Sequence, residues 1–241
     1  MKIQIIILII LMQINNLAQD ELNKLTNKSL NKKAVIEVNL NYLLYLPEDY
    51  KTSDQKFPLV IFLHGSGERG NDLKKVKMHG PPKLIEKGKK FPFILLAPQC
   101  PDGKRWTHLL TELSILIDEI QSNYSIDEDR IYLTGLSMGG QGTWTLAMYA
   151  PERFAAIAPI CGWADTFEAC KLKDLPIWVF HGAKDLIVPI HHSENMVDAL
   201  KKCGSTEIKF TVYPNANHDS WTETYNNSKF YEWLLSKKKK N

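Results

Sequence analysis

The sequence predicts an α/β fold with a mostly parallel central sheet and helices on both faces. Three observations carry this. Short unbroken apolar runs recur along the chain, among them residues 58–63 (PLVIFL) and 92–97 (PFILLA), and such runs suit strands buried on both faces. Amphipathic helical patterns separate them, which implies βαβ units with right-handed crossovers. The 241 residues are 44% hydrophobic and 24% charged, as in an ordinary globular domain, and no repeat or linker divides them.

Taken in order, the first eighteen residues stand apart. Lys2 precedes an apolar run over 3–12 broken only by Gln4, and small Ala18 follows polar Asn15 and Asn16. This is the layout of a secretory signal peptide, too short to span a bilayer. Residues 1–18 are therefore expected to be removed, giving a secreted or periplasmic protein with no stable membrane insertion afterwards. A polar, flexible lead-in covers 19–33, the main domain 34–236, and a solvated lysine-rich tail 237–241.

Within the domain, residues 34–46 read as one or two strands ending at Pro47. Residues 58–63, 92–97, 130–134, 154–160 and 176–180 read as buried strands. Residues 207–213 alternate, with Ile208, Phe210 and Val212 on one face, as a half-exposed strand near a sheet edge does. Leu109, Leu113, Leu116, Ile117, Ile120 and Tyr124 make one helical stripe. Met196, Val197 and Leu200 make another, with Ser193 as its candidate N-cap and Gly204 at its end. Phe230, Trp233 and Leu234 mark a last helix.

Composition excludes several functions. Thirty basic against 27 acidic residues leave a net charge of +3, which gives no basis for nucleic-acid binding. Four cysteines without a C-x-x-C pair exclude a disulfide scaffold and a zinc knuckle. His191 and His192 have no ligand partners at metal spacing and read as a helix start. No metal or cofactor is expected.

The chemistry concentrates at Gly135-Leu136-Ser137-Met138-Gly139, between the strand 130–134 and a helical run through Trp144 and Met148. A serine hydroxyl needs exposure and a base to act as a nucleophile. A tight strand-to-helix turn lifts it clear of the sheet, and flanking glycines permit that turn. Asp185 follows the strand 176–180 in His181-Gly182-Ala183-Lys184-Asp185, and His218 lies in the loop after the strand 207–213. Ser137, Asp185 and His218 thus occur in the Ser…Asp…His order. Asp165, after the preceding strand, is the rival acid, and Asp219 adjoins the histidine too closely to orient it. Two backbone N–H groups should form an oxyanion site, one from Met138 and one from Ser66, with Gly65 the alternative. His64 reads as a structural residue of that loop.

These segments resemble the α/β-hydrolase superfamily, in its branch of small secreted esterases. That branch holds feruloyl and acetylxylan esterases, polyhydroxybutyrate depolymerase-like esterases and phospholipase/carboxylesterase-type proteins. The likeness rests on HGSGERGND from His64, APQCP from Ala97, DRIYLTGLSMGGQGTW from Asp129, PERFAAIAPICG from Pro151, WVFHGAKDLIVP from Trp178 and HDSW from His218. It implies a serine esterase acting on a small ester or an ester-substituted polysaccharide. A lysophospholipase or peptidase on the same triad is the enzymic alternative, and an inactive binding protein the non-enzymic one. No long insertion between Pro159 and Pro176 provides a lid. Trp106, Trp163 and Trp221 fall in loops at the strands' carboxyl ends, as candidate substrate contacts or as packing. Glu68 and Arg69 either anchor a polar substrate group or form a surface ion pair. Cys100 and Cys161 follow strands toward one rim, which leaves a disulfide between them open in an exported protein.

Overall fold

A computed structural model describes residues 29–33 and 35–239. The expected signal peptide and most of the lead-in lie outside the described residues. The chain divides into a unit over 1–37 and a unit over 38–241. In the first, the described residues form no helix or strand.

The second unit is built on seven strands: β1 (Tyr42–Tyr45), β2 (Phe57–Leu63), β3 (Ile94–Pro98), β4 (Ile126–Leu136), β5 (Ala156–Ile160), β6 (Ile177–Gly182) and β7 (Ile208–Tyr213). They lie in the order β1-β3-β2-β4-β5-β6-β7. All neighbours are parallel except β1, which pairs antiparallel with β3. The helices are α1 (Gly80–Glu86), α2 (Leu110–Asn123), α3 (Met138–Tyr149), α4 (His191–Lys202), α5 (Trp221–Asn226) and α6 (Ser228–Leu235). Among the described residues no helix is long and apolar enough to cross a membrane.

Side-chain alternation splits the core into two layers. Leu59, Ile61 and Leu63 of β2 pack with Leu113 and Ile117 of α2, Trp144 of α3 and Met196 of α4. Val60 and Phe62 of the same strand pack on the other side with Tyr225 of α5, Phe230 of α6 and Leu84 of α1. β2 is buried along its whole length, which explains why 58–63 carries no polar residue. β7 closes one edge: Ile208 and Phe210 pack on the core with exposed Lys209 between them, as the alternation requires, whereas Val212 is exposed and departs from it.

Several expectations need correction. Of the described residues among 34–46, only Tyr42–Tyr45 forms a strand, paired with β3 from Pro98 back to Leu95. β4 begins at Ile126 and not at 130. Its polar start pairs at Phe57, and an Arg130–Asp127 ion pair of 2.5 Å stabilises it. Ser193 is no N-cap: α4 starts two residues earlier, and the buried Ser193 hydroxyl bonds His181 instead. The lysine tail is tethered where it begins. Lys237 pairs with Glu207 at 2.7 Å, its carbonyl accepts from the Tyr132 hydroxyl at 2.6 Å, and the Lys239 N–H reaches Asp129 O. Between β5 and β6 the chain makes only the 3₁₀ turn Thr166–Leu172, so nothing there forms a lid.

The disulfide joins Cys170 to Cys203, linking that turn to the end of α4, while Cys100 and Cys161 are free and buried. The Cys100–Cys161 pair that the sequence leaves open is excluded by topology. Cys100 follows β3 and Cys161 follows β5, with β2 and β4 between them. Three strand spacings are roughly 14 Å, against about 4.4–6.8 Å between bridged Cα atoms. The observed bridge closes 33 residues, so replacing Cys170 and Cys203 by serine should cost roughly 3–4 kcal/mol. The melting temperature should fall by ~7–14 °C. Calorimetry of the double variant, or of wild type with reductant, checks this; an unchanged transition would refute the bridge.

Candidate active site

The turn between β4 and α3 holds Ser137 at φ 53°, ψ −115°. A non-glycine residue there is strained by roughly 1–3 kcal/mol, and the surroundings hold it in place. Ser137 N–H donates to Ile160 O of β5 at 2.9 Å, and Gln141 N–H donates to Ser137 O at 2.9 Å. The flanking glycines are required by contact. A Cβ at Gly139 would fall on Leu63 O, and one at Gly135 on Gly139 O.

Two loops then converge on the serine hydroxyl. The segment after β6 is tied to the one after β7: Ala183 N–H donates to Tyr213 O and Lys184 N–H to Ala216 O, both at 2.9 Å. This brings Asp185 Oδ2 to 2.7 Å from His218 Nδ1, while His218 Nε2 lies 2.9 Å from Ser137 Oγ. The structure therefore assembles Ser137, His218 and Asp185 in one line. With the carboxylate accepting from Nδ1–H, the Nε2 lone pair faces the hydroxyl. Such an arrangement can take the serine proton as the oxygen attacks a carbonyl.

Asp185 is itself enclosed by donors. Its Oδ1 accepts from Ile187 N–H and Val188 N–H, both at 2.9 Å. Its Oδ2 also lies 3.3 Å from Nε2 of His181. His181 is fully buried, and burial lowers its pKa, so it stays neutral. Nδ1 accepts from the Ser193 hydroxyl at 2.7 Å, and Nε2–H points at Val188 O at 2.8 Å beside the carboxylate. In the sequence His181 reads only as the end of a strand; burial beside an acid is a tertiary property. Asp165 is exposed and caps the turn after β5 through Phe167 N–H, and Asp219 accepts from Thr222 N–H and Oγ1–H. Neither of those bonds is to His218.

Gly65, Ser66, Glu68, His79, Leu136 and Trp221 line a cavity of about 130 Å³ together with Ser137 and His218. Ser66 opens a 3₁₀ turn beside the serine, and Met138 begins α3 with its side chain buried. His64 holds the loop from below. Nδ1–H donates to Gly65 O at 2.6 Å, and Nε2 accepts from Cys100 N–H at 3.0 Å. Burial pushes its pKa down to about 4. Glu68 is buried rather than paired with Arg69, which bonds the Ser66 and Lys104 carbonyls. Its Oε1 lies 3.7 Å from His79 Nε2, and burial raises its pKa.

The three tryptophans separate. Trp221 stands edge-on to His218 at 5.2 Å and donates to His79 Nδ1 at 3.3 Å. Trp106 is a correction: it is fully buried, packs on His64 at 4.9 Å and donates to His64 O, so no substrate reaches it. Trp163 is half-buried beyond β5 and does not line the cavity at Ser137. The Cys161 thiol lies within 4.8 Å of the Asp185 and His218 ligand atoms. Burial pushes its pKa up to about 12, and the carboxylate and imidazole already bond each other, so no metal is needed to account for the cluster.

The profile of the phospholipase/carboxylesterase family matches residues 91–231, more than half of the chain. A bifunctional acetylxylan esterase/xylanase of Neocallimastix patriciarum is 28% identical over 174 residues, 68% of this chain and 25% of that one. A protein of Aspergillus terreus named probable feruloyl esterase C is 27% identical over 178 residues, 69% of this chain and 64% of its own. Among solved structures, a thermostable esterase superposes with TM-score 0.72 at 36% identity, covering 83% of this chain and 60% of that one. The chain thus spans a quarter of the first relative and under two thirds of the other two.

His64 has a consequence for stability. Its unfolded value is 6.5 and its folded value about 4. Below pH 6.5 the unfolded chain takes up a proton that the folded one refuses. This contribution is therefore full above 6.5 and is lost as pH falls toward 4. At pH 5 the loss is about 2 kcal/mol, taking about 1.36 kcal/mol per pH unit. Urea unfolding at neutral pH and at about pH 5 reads the slope, and nitrogen NMR should find the His64 ring neutral with Nδ1 protonated in both. A protonated His64 ring at the lower pH would contradict the assignment.

Proposed function

The chain belongs to the phospholipase/carboxylesterase family, and from that premise we propose that it is an exported serine esterase that hydrolyses carboxylic esters through an acyl-enzyme. Its substrates on this reading are small esters or feruloyl and acetyl side groups of plant polysaccharide. The observation that carries the reading is the line of contacts from Asp185 through His218 to Ser137, at 2.7 and 2.9 Å. The acetylxylan and feruloyl names of two relatives favour the substrate class. Export is favoured by the signal-like residues 1–18 and by the Cys170–Cys203 bridge, since disulfides persist in oxidising compartments.

In the proposed reaction Ser137 Oγ attacks the ester carbonyl carbon while His218 Nε2 takes its proton. Asp185 holds the Nδ1–H tautomer and stabilises the imidazolium. The negative oxygen of the tetrahedral intermediate turns toward the N–H groups of Met138 and Ser66. Collapse breaks the bond to the alcohol, which leaves with the proton from His218. Water, deprotonated by His218, then attacks the acyl-serine, releases the acid and returns the proton to Ser137.

Ser137→Ala should remove hydrolysis of p-nitrophenyl acetate by roughly 10⁴-fold or more while circular dichroism stays unchanged. Asp185→Asn should lower kcat by roughly 10⁴-fold with little change in KM. Asp165→Asn should behave as wild type. Retained turnover by the Ser137 variant would sink the assignment, and collapse of the Asp165 variant alone would rewire the acid. Methyl ferulate, acetylated xylan and lysophospholipid, compared by kcat/KM, test the substrate class; preference for the lysophospholipid would overturn it.

A further inference from the structure

His79 and Trp221 both line the cavity at Ser137. His79 and Trp221, joined by the 3.3 Å bond between Nε1–H and Nδ1, also line a second cavity of about 120 Å³ between α1 and α5. The two rings meet edge to face at 5.4 Å and form a sill common to both spaces. The two cavities therefore share His79 and Trp221 as a common wall.

The second cavity differs in charge from the first. Lys83 on α1 and Lys87, which caps the end of that helix and donates its N–H to Lys83 O at 3.1 Å, both line it. Among the described residues neither lysine has a carboxylate within ion-pair distance. The acid of that helix, Glu86, is taken by Lys77 at 2.8 Å. No acid lines the cavity, and nearby Asp219 is occupied by Thr222 N–H and Oγ1–H. Leu84 and Tyr225 supply an apolar wall beside the Trp221 ring. An aromatic edge, an apolar wall and two uncompensated ammonium groups together suit a ring that bears an anionic substituent.

We propose that this second cavity is a subsite for a carboxylate on one arm of the ester, so that the substrates are acid-bearing esters such as acylated uronate residues. The inference rests on the esterase reading and narrows its substrate class. The neutral part of the arm crosses Trp221, and its carboxylate lies against Lys83 and Lys87. Discrimination comes from the attraction, so it should weaken with salt.

Two matched pairs test it: 4-carboxyphenyl acetate against phenyl acetate for the alcohol arm, and mono-p-nitrophenyl adipate against p-nitrophenyl hexanoate for the acyl arm. In the Lys83→Gln, Lys87→Gln variant the charged-to-neutral ratio of kcat/KM should fall roughly five- to tenfold for one pair, as expected for two partly exposed charges. The wild-type ratio should fall similarly between about 0.01 M salt, where screening reaches about 30 Å, and about 1 M, where it reaches about 3 Å. Lys201→Gln, Lys202→Gln at the exposed end of α4 makes the same change in net charge and should leave both ratios alone. Unmoved ratios in the Lys83/Lys87 variant, or an equal fall in the control, would overturn the subsite. Binding of 4-carboxyphenyl acetate and of mono-p-nitrophenyl adipate to Ser137→Ala protein, with and without the two lysines, decides the same question without turnover, equal binding of both being the contrary result. Absent hydrolysis of the neutral esters therefore counts against the esterase reading alone, and equal binding against the subsite alone.

Discussion

The carboxyl edge of the sheet depends on one close approach, that of the start of α3 to the end of β2. Gly139 lies so near Leu63 O that any Cβ would occupy the oxygen's place. Because β2 and β4 are neighbours, this contact lays the Ser137 turn alongside the His64–Ser66 loop. It leaves Ser137 at positive φ, with a backbone that β5 secures through Ile160 O. The strain is bearable because the turn's backbone groups are bonded, and a rigid turn keeps the hydroxyl in one position. A side chain on Gly139 would move the serine and the loop apart together.

Behind that contact, the loops are held by neutral histidines and one enclosed carboxylate. A buried carboxylate without donors would be destabilising or protonated. Asp185 meets two backbone N–H groups and two imidazoles. The histidines near the site have separate surroundings. His64 and His181 are buried with both ring nitrogens bonded, which suits a neutral ring. His218 keeps a fifth of its side chain open and faces Ser137. Of these three, the one open to a ligand is thus the one whose Nε2 has a hydroxyl as partner, while His79, also in the cavity, accepts from Trp221 instead.

Much of this was legible in the sequence, for identifiable reasons. Strands 58–63 and 92–97 are buried on both faces and so appear as unbroken apolar runs. The turn at Ser137 needs glycine on both sides, and glycine is visible as a letter. The spacing of Asp185 and His218 after successive strands follows from topology, which the alternation of elements reveals. What was not legible depends on depth and on distant partners. Trp106 occupies a loop yet packs beneath it, because Gly142 leaves room for its ring. Ser193 carries the chemistry of a cap but serves His181. Cys170 and Cys203 flank no strand end, and only the packing of the turn after β5 on α4 brings them together. Helix α1 is absent from the elements read off the sequence: it begins Gly80-Pro81-Pro82, and proline is well suited to a first helical turn.

A shallow site raises a question of selectivity. The space at Ser137 is about 130 Å³, small for a ligand pocket, and among the described residues no lid closes it. On the proposed esterase reading, contacts at the ester alone are common to every ester, so they accelerate all of them alike. Discrimination must then come from parts of the substrate that do not react, whose binding energy is used to hold the reacting carbonyl in place. Trp221 is the residue through which such contacts pass, since it touches His218 on one side and His79 on the other. An arm packed along its ring would be aligned with the imidazole and with the space beyond. The polarity of that space, two lysines and no acid, then decides which arms gain from the alignment. A neutral arm would leave both ammonium groups to solvent, whereas an acidic arm would exchange part of that hydration for a charged partner. Lys83 is half-buried and Lys87 exposed, so on that reading the gain is modest for each and depends on both lining the same cavity. Selectivity on this view is distributed along the groove, and the reacting residues themselves need carry none of it.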